Sequence, residues 1–76
     1  EALSDYDRAL AVWPDLAATL VYRGKLLNRL GRHNEALTDL GRAQTLFSTM
    51  GNRAAADWAA QAIADIRKAG GETLRP

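Results

Sequence analysis

The chain has 76 residues, a formal net charge of +1 and no cysteine, which excludes a disulfide framework and any thiolate metal site. Hydrophobic residues make up 47% and charged residues 25% of it, the balance of a folded globular domain. Acids and bases are interleaved, so no long-range field draws the chain toward nucleic acid or a membrane, and no 18-residue apolar run is present to span a bilayer. A chain this short buries only about 60% of the surface its unfolded form exposes, which makes stability marginal. It opens on Glu1 without a targeting segment. The expectation is a fragment of a longer polypeptide, with the cytoplasm as default compartment.

Taken in order, the first element runs from Glu1 to Val12, with Ala2, Tyr6, Ala9 and Leu10 at helical spacing among Ser4, Asp5, Asp7 and Arg8. Trp13-Pro14 stops it, because the residue before a proline is pushed out of the helical region. Asp15 is then the expected N-cap of a second helix over residues 16–30. Its apolar stripe is Leu16, Leu20, Gly24, Leu27 and Leu30. Glycine at mid-helix costs roughly 1 kcal/mol against alanine, so Gly24 points to another helix crossing there. Gly31 breaks this helix, and Asn34 is the expected cap of a third, over 34–49, with Ala36, Leu37, Leu40, Ala43, Leu46 and Phe47 inward. Gly51-Asn52 repeats the break-and-cap signal. A fourth helix over 53–69 carries a stripe of Ala55, Trp58, Ala59, Ala62, Ile63 and Ile66, and Gly70-Gly71 is expected to end it, leaving residues 70–76 as a flexible tail. The fold class is all-α with four helices. The 15 alanines favour helices that approach closely.

Shifting the sequence by 34 residues lays Glu1–Ala9 on Glu35–Ala43, with six of nine positions identical and Ser4 on Thr38. The likeness continues with Val12 on Leu46 and Trp13 on Phe47. The chain contains an internal repeat.

These residues resemble the tetratricopeptide repeat (TPR), a 34-residue helical hairpin. Leu20, Gly24 and Leu27 stand at the Trp, small-residue and Tyr sites of its first helix, Leu30-Gly31-Arg32 at the turn, and Ala36, Leu40 and Ala43 on the second helix. Ala2, Tyr6, Ala9 and Pro14 match the second helix and closing proline of a preceding unit. Two departures are Arg23 in place of a Leu and Ser48 in place of the closing Pro. The fourth helix fits with one inserted residue, which sets Ala59 in the Gly24 role and Ala62 in the Leu27 role.

The resemblance implies an α-α superhelical solenoid over residues 1–69: the second helix of a truncated unit (1–14), one complete unit (15–48) and a C-terminal capping helix (52–69). Stacked repeats share a continuous core, so the face of the first helix lacks its partner. That implies either a truncated array or a homodimer through the uncovered face.

It further implies a non-catalytic protein-protein interaction scaffold whose concave groove binds a partner protein or an acidic or mixed peptide. Carried onto this chain, the groove residues are Ala18, Val21, Tyr22, Lys25, Asn28 and Arg29. Lys25 and Arg29 are one helical turn apart and can meet an acidic segment together. Family members that grip a C-terminal carboxylate place Asn where Tyr22 stands, which argues against that use. Alternatives are a structural cap or homo-oligomerisation element of a longer array, and an RNA-binding pentatricopeptide-like array using Arg23, Lys25, Arg29 and Arg32. The near-zero net charge argues against nucleic acid.

Nothing in the sequence assembles a catalytic constellation, so no enzyme activity, metal or cofactor is expected. His33 is the lone imidazole and falls in a turn. Asp5 and Asp7 are two apart on a helix and point in different directions, which reads as solvated charge. Gly70-Gly71 has no strand before it and no Lys-Ser/Thr after it, so it is not a phosphate loop. Trp58 is expected in the core, and Trp13 is expected to plug the joint between units.

Overall fold

The computed structural model describes residues 1–71, and the side chains of 1–69. Four helices occupy nearly all of it: α1 (Ala2–Val12), α2 (Ala17–Arg29), α3 (His33–Thr49) and α4 (Arg53–Gly71). Among the described residues there is no strand. The fold is all-α. Helix α2 is central, in contact with α1, α3 and α4, whereas α1 lies against α2 alone.

Two of the three connections are built on glycine. Gly31 and Gly51 have φ of 82° and 76°, a left-handed backbone that side chains other than glycine's resist. At each, the next two amides turn back onto the helix just ended. Gly31 N–H donates to the Asn28 carbonyl (3.0 Å) and Arg32 N–H to Leu27 (2.9 Å), while Gly51 donates to Ser48 (3.0 Å) and Asn52 to Phe47 (2.9 Å). This is the Schellman arrangement, which satisfies carbonyls the helix would otherwise leave unpaired.

The starts follow the sequence less closely. Asn52 caps α4 as expected, its Oδ1 accepting from Ala55 N–H at 3.1 Å. Asp15 does not cap α2. Leu16 holds that position without a side-chain bond, and the Asp15 carboxylate lies 3.7 Å from Arg42 on α3 instead. Nor does Asn34 cap α3: the helix begins a residue earlier, at His33. There the Arg32 guanidinium pairs with Glu35 through two bonds, at 2.9 and 2.7 Å. At the far end α4 continues through Gly70 and Gly71 rather than stopping before them. The expected tail, 72–76, lies outside the described residues.

The core is a small-residue stack with a few large anchors. Leu20, Val21, Ala36, Leu40, Ala43 and Ala59 are fully buried, with Leu10, Ala17, Leu27, Phe47, Ala56, Ala62 and Ile66 nearly so. At the α2–α3 crossing, a Cβ added to Gly24 would sit 2.8 Å from Leu40 Cγ and 3.2 Å from the Ala36 carbonyl oxygen. The absent side chain is what lets the helices close. Of the expected stripes, Leu16 and Leu30 are instead exposed at the two ends of α2. Ala2 is exposed, and Leu37, Leu46, Ala55, Trp58 and Ile63 are only partly covered. Trp13 plugs no joint: it is 64% exposed.

Candidate functional site

Helix α2 carries the surface the sequence nominated. At about 100° per residue, Ala18, Tyr22, Lys25 and Arg29 fall within a narrow stripe, and all four are exposed. Val21 lies about 60° round the helix from Ala18 and is 0% exposed. It belongs to the core and leaves the groove. The cause is the central place of α2, which is covered from three sides so that only one stripe stays open. Asn28, at the edge of the stripe, is half-buried. Its Oδ1 accepts a hydrogen bond from His33 Nδ1 at 2.6 Å, which places the lone imidazole in a turn contact.

Two further aromatic residues join this stripe from other helices. The Tyr22 ring stacks on Tyr6 of α1 with centroids 6.3 Å apart, and meets Trp58 of α4 edge-on at 5.5 Å. Trp58 in turn touches Phe47 at 6.4 Å. It therefore bridges core and surface, half-buried rather than wholly inside. Lys25 Nζ sits 5.3 Å above the Trp58 ring, a cation–π contact of about 0.5–1 kcal/mol at an exposed site. Tyr22 is 49% exposed yet held between two rings, an ordered contact surface that needs little further immobilisation. Beside it, a depression of about 200 Å³ is lined by Lys25, Asn28, Arg29, Ala62, Asp65 and Ile66.

The basic run on and after α2 divides into two uses. Arg23 forms a fork on Asp39, with Nε 2.7 Å from Oδ2 and Nη2 2.9 Å from Oδ1, and its Nη1 reaches Asp7 at 3.1 Å. Hydrogen bonding to Asp39 raises the guanidinium pKa above its ordinary value, against burial, which works the other way. Asp5 and Asp7 are both exposed, as expected of solvated charges, and Asp7 is in addition a partner of Arg23. Arg32 is held by Glu35, and that bond lowers the Glu35 carboxyl below its usual range. Lys25 and Arg29 form no ion pair among the described residues. They are the cations available to a ligand.

A second cleft, of about 250 Å³, lies between α1 and α3 and is lined by Asp7, Arg23, Arg32, Glu35 and Asp39 among others. Its charges already satisfy one another, so a ligand entering it would have to break those pairs first.

The sequence did not reveal the Arg23–Asp39 pair, although a signal existed. If Gly24 faces Leu40 across the hairpin, the preceding residues, Arg23 and Asp39, are neighbours too. Tyr6 and Trp58 were missed as groove residues because each was assigned wholly to the core of its own helix. Among the described residues, no group of three His, Cys, Asp or Glu side chains comes together that could hold a metal ion. No helix of the described residues is long and apolar enough to cross a membrane. Comparison with protein-family models, with curated proteins and with solved structures finds no match for this chain.

Proposed function

We propose that the chain is a non-catalytic protein-interaction module, part of a TPR-like helical stack, and that it binds an acidic or mixed peptide along α2. The observation that carries this is the Tyr22 ring, half-exposed but held between Tyr6 and Trp58, with the cations Lys25 and Arg29, which form no ion pair among the described residues, alongside. Ordered aromatic rings provide contact area at low entropic cost, and nearby cations add selectivity for acidic segments. Asp65 borders the same depression, which favours a ligand with a basic residue among its acidic ones.

The test is a panel of synthetic acidic, mixed and basic peptides, titrated against the chain and its Lys25→Glu/Arg29→Glu variant at low and high salt. Saturable binding of the acidic or mixed peptides, weakened at least tenfold in the variant and by salt, is the expected result. Binding that ignores the double charge reversal would place the ligand elsewhere.

A second reading has its own observation. Arg53, Asp57, Gln61 and Lys68 present a polar outer side of α4, as suits a helix that terminates a stack. If no peptide in the panel binds, the chain acts as an end cap.

A further inference from the structure

The depression between α2 and α4 differs in kind from the exposed stripe that leads to it. Its volume, about 200 Å³, falls below the roughly 300–1,000 Å³ of pockets that enclose small organic ligands. It has room for one protein side chain rather than for a cofactor. Its floor is apolar, made by Ala62 and Ile66 of α4, which are 7% and 8% exposed.

The two walls carry opposite charge. On the α2 side stand Lys25 and Arg29, which form no ion pair among the described residues. Their aliphatic stems extend the apolar lining while their charged heads stay in water. On the α4 side stands Asp65, whose Oδ1 accepts a hydrogen bond from Gln61 Nε2 at 2.9 Å. The Asn28 Oδ1 at the edge is already engaged by His33.

Spacing then constrains what can lie there. Lys25 and Arg29 are four residues apart, about 6 Å along the helix axis. In an extended chain, residues i and i+2 are about 6.6 Å apart on one side, and the residue between them points the opposite way. A strand laid along α2 therefore brings two alternate acids to Lys25 and Arg29. The residue between them turns toward the floor on α4. The Lys25 ammonium is held over the Trp58 ring, which fixes one end of this register.

We propose that the depression is an anchor subsite for one aliphatic side chain of leucine size, set between two acids in an extended acid–aliphatic–acid segment. The cations select the two acids and the apolar floor selects the centre. Asp65 opposes a third acid at the central position. The inference rests on the α2-binding reading above and adds an order of residues to it, which attraction between net charges does not impose.

The experiment titrates the 76-residue chain with three capped synthetic peptides that share Ser/Gly flanks and differ only at the centre: Glu-Leu-Glu, Glu-Ala-Glu and Glu-Glu-Glu. Chemical shifts of the protein amides report binding. Glu-Leu-Glu should bind about tenfold more tightly than Glu-Ala-Glu, from the apolar area it buries. It should exceed Glu-Glu-Glu by a similar factor, despite carrying less charge, and Asp65→Asn should narrow that second gap. Ala62→Met, which fills the floor, should erase the preference for leucine over alanine and leave Glu-Ala-Glu unchanged. The peptide series on the unsubstituted chain decides the matter even if that variant does not fold. Affinities that rise with peptide charge, or a leucine preference that survives in a folded Ala62→Met chain, overturn the anchor. If Lys25→Glu/Arg29→Glu still weakens binding in that case, the α2 reading stands without it. No binding, or binding indifferent to that charge reversal, overturns both.

Discussion

Helices α1 and α3 share a nine-residue stretch, residues 1–9 and 35–43, with six positions identical, and the protein treats them differently. Helix α3 is 17 residues long and buries Ala36, Asp39, Leu40, Ala43 and Phe47, whereas α1 is 11 residues long and buries Leu10 alone. The contrast is sharpest at their ends: Phe47 is 8% exposed against Trp58, and its repeat equivalent Trp13 is 64% exposed. Local sequence accounts for the shorter α1, since Pro14 stands where α3 has Ser48, but not for the difference in burial, since six of the nine matched residues are identical. Helix α3 lies between α2 and α4, while α1 has one neighbour. The pair therefore separates what a segment can do from what its neighbours let it do, and most helix stability in proteins comes from the second.

The largest test of that comparison is truncation at matched positions. Leu40→Ala should cost about 3–4 kcal/mol, as expected for a fully buried leucine, and Tyr6→Ala only about 1 kcal/mol, because its ring keeps one side open. Urea unfolding of both variants measures the gap. Equal costs would break the contrast.

Next is the ion pair. Arg23→Leu should destabilise by about 2–3 kcal/mol, because it leaves the Asp39 carboxylate buried without its fork. Removing Asp39 as well, in Arg23→Leu/Asp39→Leu, should recover most of the loss, since apolar residues often replace such a pair at little net cost. Asp5→Ala, at the matched position of α1, should stay within about 0.5 kcal/mol.

Two glycines sharpen the comparison with opposite signs. Gly24→Ala should destabilise by about 1–2 kcal/mol, because the clash with Leu40 outweighs the gain in helix propensity. At Gly41 an added Cβ meets nothing within 4 Å. Gly41→Ala should therefore stabilise, by up to about 1 kcal/mol, and thermal melts of the two should move in opposite directions.

The smallest effect is with acid. The Glu35 carboxyl is held below its usual range by Arg32 in the folded state. Its contribution is therefore complete above the ordinary glutamate pKa and is lost as pH falls through that value and then through the lower folded one. Stability should decline below about pH 4, and Glu35→Gln should flatten that decline slightly. Both groups are exposed, so a large change would contradict the assignment.

Much of this architecture was legible beforehand because it depends on neighbours in sequence. The helix spans follow the 3.6-residue period, Gly31 and Gly51 mark breaks because few other residues adopt their backbone, and Gly24 announced a crossing helix by its cost. The candidate groove was legible in part. Ala18, Tyr22, Lys25 and Arg29 share the open stripe, while Val21, a small rotation away, required knowing that α2 is enclosed on three sides.

What the amino-acid sequence determined by itself is the all-α class, the number of helices and the two glycine turns, all set by interactions within a few residues. Only the tertiary structure decided that Val21 is core, that Trp13 stands in solvent, that Asp15 serves Arg42 rather than a helix end, and that Arg23 is the half-buried partner of Asp39 instead of a ligand-binding cation. Each of those outcomes depends on which helix arrives from elsewhere in the chain, because burial and charge pairing belong to neighbours in space.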